Sequence, residues 1–326
     1  MKVAFYSSKP YDHVYFDSLN SDHVLLYLET NLTAATAILA DGCDAVCCFV
    51  NDTLNKEVLD ILHKQGIGLI VMRCAGFNNV DVEFAAELGL IVARVPEYSP
   101  YAVAEHTAAL ILTLNRHIHR AHNRIRENDY SLHGLMGFDL HGKTVGVVGS
   151  GKIGRAFIHI MLGFGCRVLV FDPAKVPIEN AEHVELDTLW SSSDIVSLHC
   201  PLTPETYHIV NAEALAKMPK GAMLINTSRG GLIDTQAVID SLKTGQLGYL
   251  GIDVYEEEAD LFFEDLSDTI VQDDVFARLT TFPNVVVTGH QAFFTREALH
   301  KIATVTFANL DAYAAKDFSR MEIVNK

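Results

Sequence analysis

The chain has 326 residues, enough for two domains that each bury a core, and its 49% hydrophobic and 20% charged residues are ordinary for a globular protein. The formal net charge of −16 argues against sequence-independent nucleic-acid binding, which needs a basic footprint. It also means that an anionic ligand must be held by local positive groups or helix N-termini, against the field of the whole protein.

Met1-Lys2 leads directly into the apolar run Val3-Ala4-Phe5-Tyr6, which is too short for a secretory signal and reads as a first strand. No apolar stretch approaches the length of a membrane span, so neither a membrane nor a nucleic acid is expected as a partner. The cysteines are Cys43, Cys47, Cys48, Cys74, Cys166 and Cys200, with no CxxC pair among them. Buried free thiols in a cytoplasmic protein are expected, rather than disulfides or a metal site.

In the first hundred residues four apolar runs alternate with helical stretches: Lys2–Ser7, Asp44–Val50, Leu69–Cys74 and Leu90–Val95. This pattern predicts a parallel sheet with crossover helices. Ser99-Pro100 then opens a long amphipathic helix. Its apolar positions, Val103, Thr107, Leu110, Ile111, Leu114, Ile118, Ala121 and Ile125, step by three and four. The second series of runs is Thr144–Val148, Arg167–Phe171, Ile195–His199, Ala222–Asn226, Tyr249–Val254 and Asn284–Thr288, six strands of a doubly wound sheet. A final helix over Glu297–Ala315 is expected to pack back onto the first domain. The expected division is therefore residues 1–99 with 295–326 as one domain and residues 100–294 as the other.

Gly149-Ser150-Gly151-Lys152-Ile153-Gly154 follows the run Thr144–Val148 and opens a helix whose expected apolar face is Ile153, Ala156, Phe157, Ile160, Met161 and Phe164. Gly149 suits a tight turn, Gly151 lets the backbone approach a pyrophosphate, and Gly154 lets the helix pack close to the strand. Asp172 ends the next strand, near the place where a carboxylate accepts a ribose 2′-OH and repels a 2′-phosphate. NAD is the expected cofactor, in preference to NADP.

Ligands of an open parallel sheet bind beyond the carboxyl ends of its strands, here beyond the last three expected runs. Arg229 follows the fourth run, Glu256, Glu257 and Glu258 the fifth, and His290 the sixth. A guanidinium can hold a substrate carboxylate with two parallel bonds. An imidazole can pass a proton to a carbonyl oxygen as hydride reaches carbon. A carboxylate beside that imidazole favours its protonated form and fixes the ring. The set suits reduction of a 2-keto acid, while the choice among three adjacent glutamates stays open. There are fifteen histidines, and most have plain surface or core roles. His106, His117, His119 and His122 are expected to face solvent or a partner. Glu256 and Glu257 read as a solvated face, Arg73 as a structural ion-pair residue, and Phe293 and Phe294 as core aromatics.

The runs Arg73–Asp81, Asn226–Asp234 (NTSRGGLID), Gly251–Glu258 (GIDVYEEE) and Gly289–Thr295 (GHQAFFT) resemble the signatures of the D-isomer-specific 2-hydroxyacid dehydrogenases. The resemblance extends over nearly the whole chain. Tyr98-Ser99-Pro100 and the acidic stretch Ala259–Leu279 resemble the D-lactate dehydrogenase branch; Gly289 departs from the wider family, where proline often precedes the histidine. The resemblance implies an α/β fold of two doubly wound parallel-sheet domains. One is a flavodoxin-like substrate domain and the other a Rossmann NAD domain, with the active site in the cleft between them. It implies that Arg229 binds substrate, that His290 is the acid/base, and that Glu258, five residues after Asp253, is its partner. Asp253, Lys152, Ile153, Cys200, Pro201, Thr206, Thr227 and Ser228 match cofactor contacts. Backbone groups of Ala75 and Gly76 and the Tyr98 hydroxyl match contacts to the substrate carboxylate, and Phe293 crowds the substrate side chain. The implied reaction interconverts pyruvate and D-lactate in a homodimer or homotetramer. A bulkier 2-keto acid, and an NAD-responsive corepressor-like binding protein, are the alternative readings.

Overall fold

A computed structural model of the chain describes residues 1–325 other than Ser21, Ala259, Asp260 and Glu264. Those last three lie within the acidic stretch Ala259–Leu279, which is to that extent outside the described residues. The chain forms two compact units, Met1–Ser99 with Phe294–Lys326, and Pro100–Phe293.

The first unit holds strands β1 (Lys2–Phe5), β2 (Val24–Tyr27), β3 (Ala45–Cys48), β4 (Leu69–Met72) and β5 (Ile91–Arg94). They pair in parallel in the order β2-β1-β3-β4-β5, the flavodoxin-like winding. β3 and β4 are buried along their whole length, as a sheet covered on both faces requires, which is why they read as unbroken apolar runs. β2 was not among the expected strands. It is an edge strand of four residues that alternates between exposed and half-buried, so it leaves no continuous apolar run. The final helix, Arg296–Ala314, belongs to this unit. Thr295 caps it through Ala298 N, and Phe307 packs against Phe16 of the helix Pro10–Leu19. Asn309 ties it to β5, with Nδ2 donating to Arg94 O at 3.1 Å.

The second unit holds β6 (Thr144–Val148), β7 (Arg167–Phe171), β8 (Ala181–His183), β9 (Ile195–Leu198), β10 (Ala222–Asn226), β11 (Leu247–Ile252) and β12 (Val285–Val287). Their order is β12-β11-β10-β9-β6-β7-β8, all parallel. The expectation of six strands is corrected to seven. The third in chain order is β8, a three-residue edge strand with no buried residue, and the run at Ile195 becomes the fourth. The winding therefore reverses between β6 and β9, and the carboxyl ends of those two strands flank the crevice. One face of the sheet packs Leu189, Trp190, Leu215 and Val238; the other packs Phe157, Met161, Leu110 and Leu114.

The long helix expected from Pro100 to Ile125 is two helices, Pro100–Arg116 and Ile118–Arg126. His117 separates them in a left-handed conformation (φ 50°), with its ring buried beside Tyr249. Asn115 exchanges two hydrogen bonds with the backbone of Phe138, so the returning chain occupies the space beside the helix end. The second helix buries none of its residues, and its apolar positions do not continue the stripe of the first. In the helix Lys152–Gly163 the buried face includes Ile158, whereas Phe164 is exposed at the helix end, contrary to the expected face. All six cysteines are buried, and none forms a disulfide. Among the described residues no helix is long and apolar enough to cross a membrane.

Candidate active site

The turn after β6 places each glycine of the motif under a different demand. Gly149 has φ +96°, and a Cβ there would sit 2.6 Å from Cys200 N at the end of β9. A Cβ on Gly154 would collide with the Gly149 carbonyl oxygen. A Cβ on Gly151 would meet nothing within 4 Å, which leaves open space over the N-terminus of the helix Lys152–Gly163. Lys152 and Ile153 form the first turn of that helix.

Asp172 follows β7. Its Oδ2 accepts from Ser150 N at 2.6 Å and from the Ser150 hydroxyl at 2.9 Å, and its Oδ1 accepts from Ala174 N at 2.8 Å. Burial opposes the charge, but these bonds outweigh it and hold the carboxyl below its usual range. Oδ1, with a single bond made, has lone-pair capacity left for a ribose hydroxyl. The open space at Gly151, the helix N-terminus and this ionised carboxylate fit a dinucleotide with an unphosphorylated ribose.

Across the crevice, Cys200 is buried, and burial pushes its thiol up to about 11, so it is a packing residue and not a nucleophile. Pro201 O accepts from the Thr206 hydroxyl at 2.7 Å, and Thr206 Oγ1 accepts from Thr203 N, so Thr206 closes this turn. Ser228 Oγ donates to Cys200 O at 2.7 Å, which joins the end of β10 to the end of β9. Thr227 is buried, with its hydroxyl 2.8 Å from that of Thr107.

Arg229 is half-buried, and its Nη1 donates to Ser228 O at 2.7 Å. No carboxylate among the described residues pairs with its guanidinium, in a chain where acidic residues outnumber basic ones by 41 to 25. Asn226 Nδ2 fixes the Arg229 carbonyl at 2.7 Å. A Cβ at Gly230 would collide with the Tyr255 backbone, so glycine lets the arginine loop lie against the segment that carries Glu258.

His290 Nδ1 lies 2.8 Å from Glu258 Oε1, and Tyr255 N donates to Glu258 Oε2 at 2.9 Å. The carboxylate accepts from Nδ1–H, which leaves Nε2 as the nitrogen open to a substrate. His290 has φ +51°, uncommon for a residue with a side chain, and its neighbours hold it there. Its own N–H donates to Asp253 O at 2.7 Å, and the N–H groups of Gln291 and Ala292 donate to the Asp253 carboxylate at 2.9 and 2.8 Å. Asp253, 1% exposed, thus works as a staple for the histidine loop.

Four expectations from sequence need correction, at Glu256, His106, His117 and Phe294. Glu256 is not part of a solvated face: its Oε1 accepts from His208 Nε2 at 2.8 Å and Tyr207 OH at 3.1 Å. His106 does not simply face solvent: its Nε2 is 3.0 Å from Thr288 Oγ1 and 3.4 Å from Asp253 Oδ1. His117 is buried, as described above. No local pattern marks His106, because Thr288 is 182 residues further along the chain. Phe293 is buried and Phe294 is half-exposed, its ring against Tyr11.

In the first unit, the Ala75 and Gly76 N–H groups donate to no acceptor among the described residues, while the Ala75 carbonyl accepts from Arg94 Nη1 at 2.9 Å. Tyr98 lies four residues beyond β5 and is half-buried. Arg73 is buried behind this loop. It donates to Ser7 O at 2.6 Å, lies 3.7 Å from Asp12, and stacks on Phe5 and Phe49.

A glycine-rich turn with an ionised carboxylate beside it, a paired histidine and glutamate, and an uncompensated arginine in one parallel sheet describe a nicotinamide-dependent dehydrogenase. Residues 108–292 match the NAD binding domain of the D-isomer specific 2-hydroxyacid dehydrogenases. The chain belongs to that family and is an NAD-dependent D-2-hydroxyacid dehydrogenase. It is 53% identical over 315 residues to the D-lactate dehydrogenase of Escherichia coli, across 95% of this chain and 96% of that one. The apo-structure of D-lactate dehydrogenase from Escherichia coli matches with a TM-score of 0.88 at 49% identity, over 97% of this chain and 98% of that chain. The D-lactate dehydrogenase of Aquifex aeolicus complexed with NAD and lactic acid matches with a TM-score of 0.87 at 30% identity, over 99% of each chain.

Proposed function

We propose that this enzyme reduces pyruvate to D-lactate reversibly, pyruvate + NADH + H⁺ ⇌ D-lactate + NAD⁺, with His290 as the acid/base. The observation that carries the proposal is the 2.8 Å contact of His290 Nδ1 with Glu258 Oε1, together with an Arg229 guanidinium that pairs with no carboxylate among the described residues. Arg229 takes the substrate carboxylate through its planar fork. The N–H groups of Ala75 and Gly76 and the Tyr98 hydroxyl give further donors to that carboxylate. Phe293 bounds the side-chain pocket and favours a methyl group over a bulkier chain. The bound dinucleotide supplies the hydride to the carbonyl carbon. As that carbon is reduced, protonated His290 gives its Nε2 proton to the carbonyl oxygen, and Glu258 stabilises the charged ring before transfer. In the reverse direction neutral His290 takes the hydroxyl proton back.

Gly149, Gly151, Gly154, Lys152 and Ile153 cradle the pyrophosphate in this reading, and Asp172 takes the adenosine ribose. Cys200, Pro201, Thr206, Thr227, Ser228 and Asp253 line the rest of the cofactor crevice. A cytoplasmic homo-oligomer, dimer or tetramer, completes the proposal. It is supported by the exposed Ile118 and Ile125 of the helix Ile118–Arg126 and by Leu132 and Met136, 84% and 88% exposed, on the segment beyond it. Light scattering of the purified protein tests the assembly.

The function is tested by kcat/KM with NADH over a panel of 2-keto acids, followed by chiral analysis of the product. Pyruvate should rank first and give D-lactate. A preference for 2-ketoisocaproate or phenylpyruvate would replace the substrate, and an L product would overturn the stereochemistry.

A further inference from the structure

Two adjacent residues of the helix Pro100–Arg116 reach two different strand ends of the second unit. His106 Nε2 is 3.0 Å from Thr288 Oγ1, just beyond β12 and two residues before His290. Thr107 Oγ1 is 2.8 Å from Thr227 Oγ1, just beyond β10 and two residues before Arg229. The direction of each bond follows from its neighbours. Thr288 Oγ1 lies 2.5 Å from Asp253 Oδ1, and a carboxylate only accepts, so the Thr288 proton goes there. Thr288 can then only accept from His106, which must carry its proton on Nε2. Thr107 Oγ1 donates to Val103 O at 2.7 Å, so Thr227 donates to Thr107.

We propose that His106 and Thr107 are paired positioning residues for the reaction, one pinning the strand end that carries the proton donor and the other the strand end that carries the carboxylate anchor. One turn of one helix thereby sets the spacing of His290 and Arg229. The proposal rests on the roles given to those two residues above. His290 has the backbone that most needs such a pin: its φ of +51° is held by the Asp253 staple and by its own N–H to Thr288 O at 3.1 Å, and Thr288 Oγ1 is bonded to that staple. The His106 ring meets Thr288 Oγ1 and Asp253 Oδ1 and not the Glu258 side chain or the His290 ring, so its effect passes through Thr288 and Asp253.

The test compares His106→Ala, His106→Gln, Thr288→Val and the double variant His106→Ala/Thr288→Val in full-length enzyme. The His106 side chain is 18% exposed, so thermal unfolding of each variant checks that the fold survives its removal. We expect His106→Ala to lower kcat for pyruvate reduction by about tenfold, toward the ~10²-fold that an ångström of misplacement can cost. The NADH Kd from fluorescence titration should stay at the wild-type value. His106→Gln, whose Nε2 can donate to the same hydroxyl, should recover most of the loss. The double variant should be no worse than the worse single variant, because both cut one chain of bonds. Wild-type kcat in His106→Ala, a glutamine variant as slow as the alanine variant, or multiplicative losses in the double variant would each overturn the proposal. His290→Ala separates the two layers of argument. If it remains active, the functional reading fails. If it is inactive while His106→Ala turns over normally, the positioning role alone fails.

Discussion

Ser150 and Ala174 give the Asp172 carboxylate three hydrogen bonds, so it stays ionised in the pH range where an ordinary carboxylate begins to protonate. A 2′-phosphate brought to that site meets a full negative charge. The enzyme should therefore prefer NADH strongly over NADPH, and Asp172→Ala should narrow the ratio of the two kcat/KM values. Equal use of both cofactors by the wild type would contradict this role. Arg229 offers a parallel test on the substrate side. Lysine keeps the charge but loses the planar fork. Arg229→Lys should raise KM for pyruvate substantially with little change in NADH Kd, and Arg229→Gln should be worse because no countercharge remains. An unchanged pyruvate KM in the lysine variant would remove this residue from the site. At this scale the sequence was informative where a residue follows a strand end in a recognisable run, as Arg229 and His290 do. Position after the strand left open which of three consecutive glutamates faces the histidine, and only the family resemblance pointed to Glu258. That is decided by the turn after Val254, where Tyr255 N binds Glu258 and Glu256 turns away to His208.

The end of β9 shows how an element supports the cofactor turn. His199 lies directly below that turn, where its carbonyl carbon would be 2.7 Å from a Cβ on Gly149. Its Nε2 is 2.9 Å from Ser197 Oγ, and its ring packs on Phe157 at 4.9 Å. Burial pushes its pKa down from 6.5 to about 3. In the interval between those values the unfolded chain binds a proton that the folded chain does not. Stability therefore rises with pH across this window and is lost on acidification, with a limiting slope of about 1.4 kcal/mol per pH unit. His199→Gln should flatten the acid limb of Tm against pH relative to wild type. Parallel curves would show that His199 titrates normally in the folded state. The elements themselves were legible in proportion to their burial. β3, β4, β6 and β9 are apolar runs because both faces are covered, whereas β2 and β8 are short edge strands with half-exposed residues and gave no signal. The break at His117 was hidden for a related reason. Ile118 and Ile125 keep the helical spacing but are each 57% exposed, so periodicity alone extended the helix through a residue with φ 50°.

For the whole molecule, a net charge of −16 acts on substrates that are themselves anions. Raising ionic strength from about 0.01 to about 0.15 M shortens the screening length from about 30 to about 8 Å, which removes long-range repulsion but leaves close contacts at Arg229 and the helix N-terminus nearly intact. The association rate of NADH in stopped-flow fluorescence should therefore increase with salt over this range. A rate that falls with salt would mean that local positive groups dominate the approach.

The central claim is that the proton travels through His290 while Glu258 favours the charged ring. It is tested most directly by paired pH profiles of pyruvate reduction and lactate oxidation in wild type and Glu258→Gln. The account predicts that kcat/KM for pyruvate falls as pH rises, and that kcat/KM for D-lactate falls as pH drops, as mirror images. Glu258→Gln should lower pyruvate reduction most at neutral pH while leaving substantial reduction at acid pH. Profiles that do not mirror each other, or that stay in place in Glu258→Gln, would contradict it.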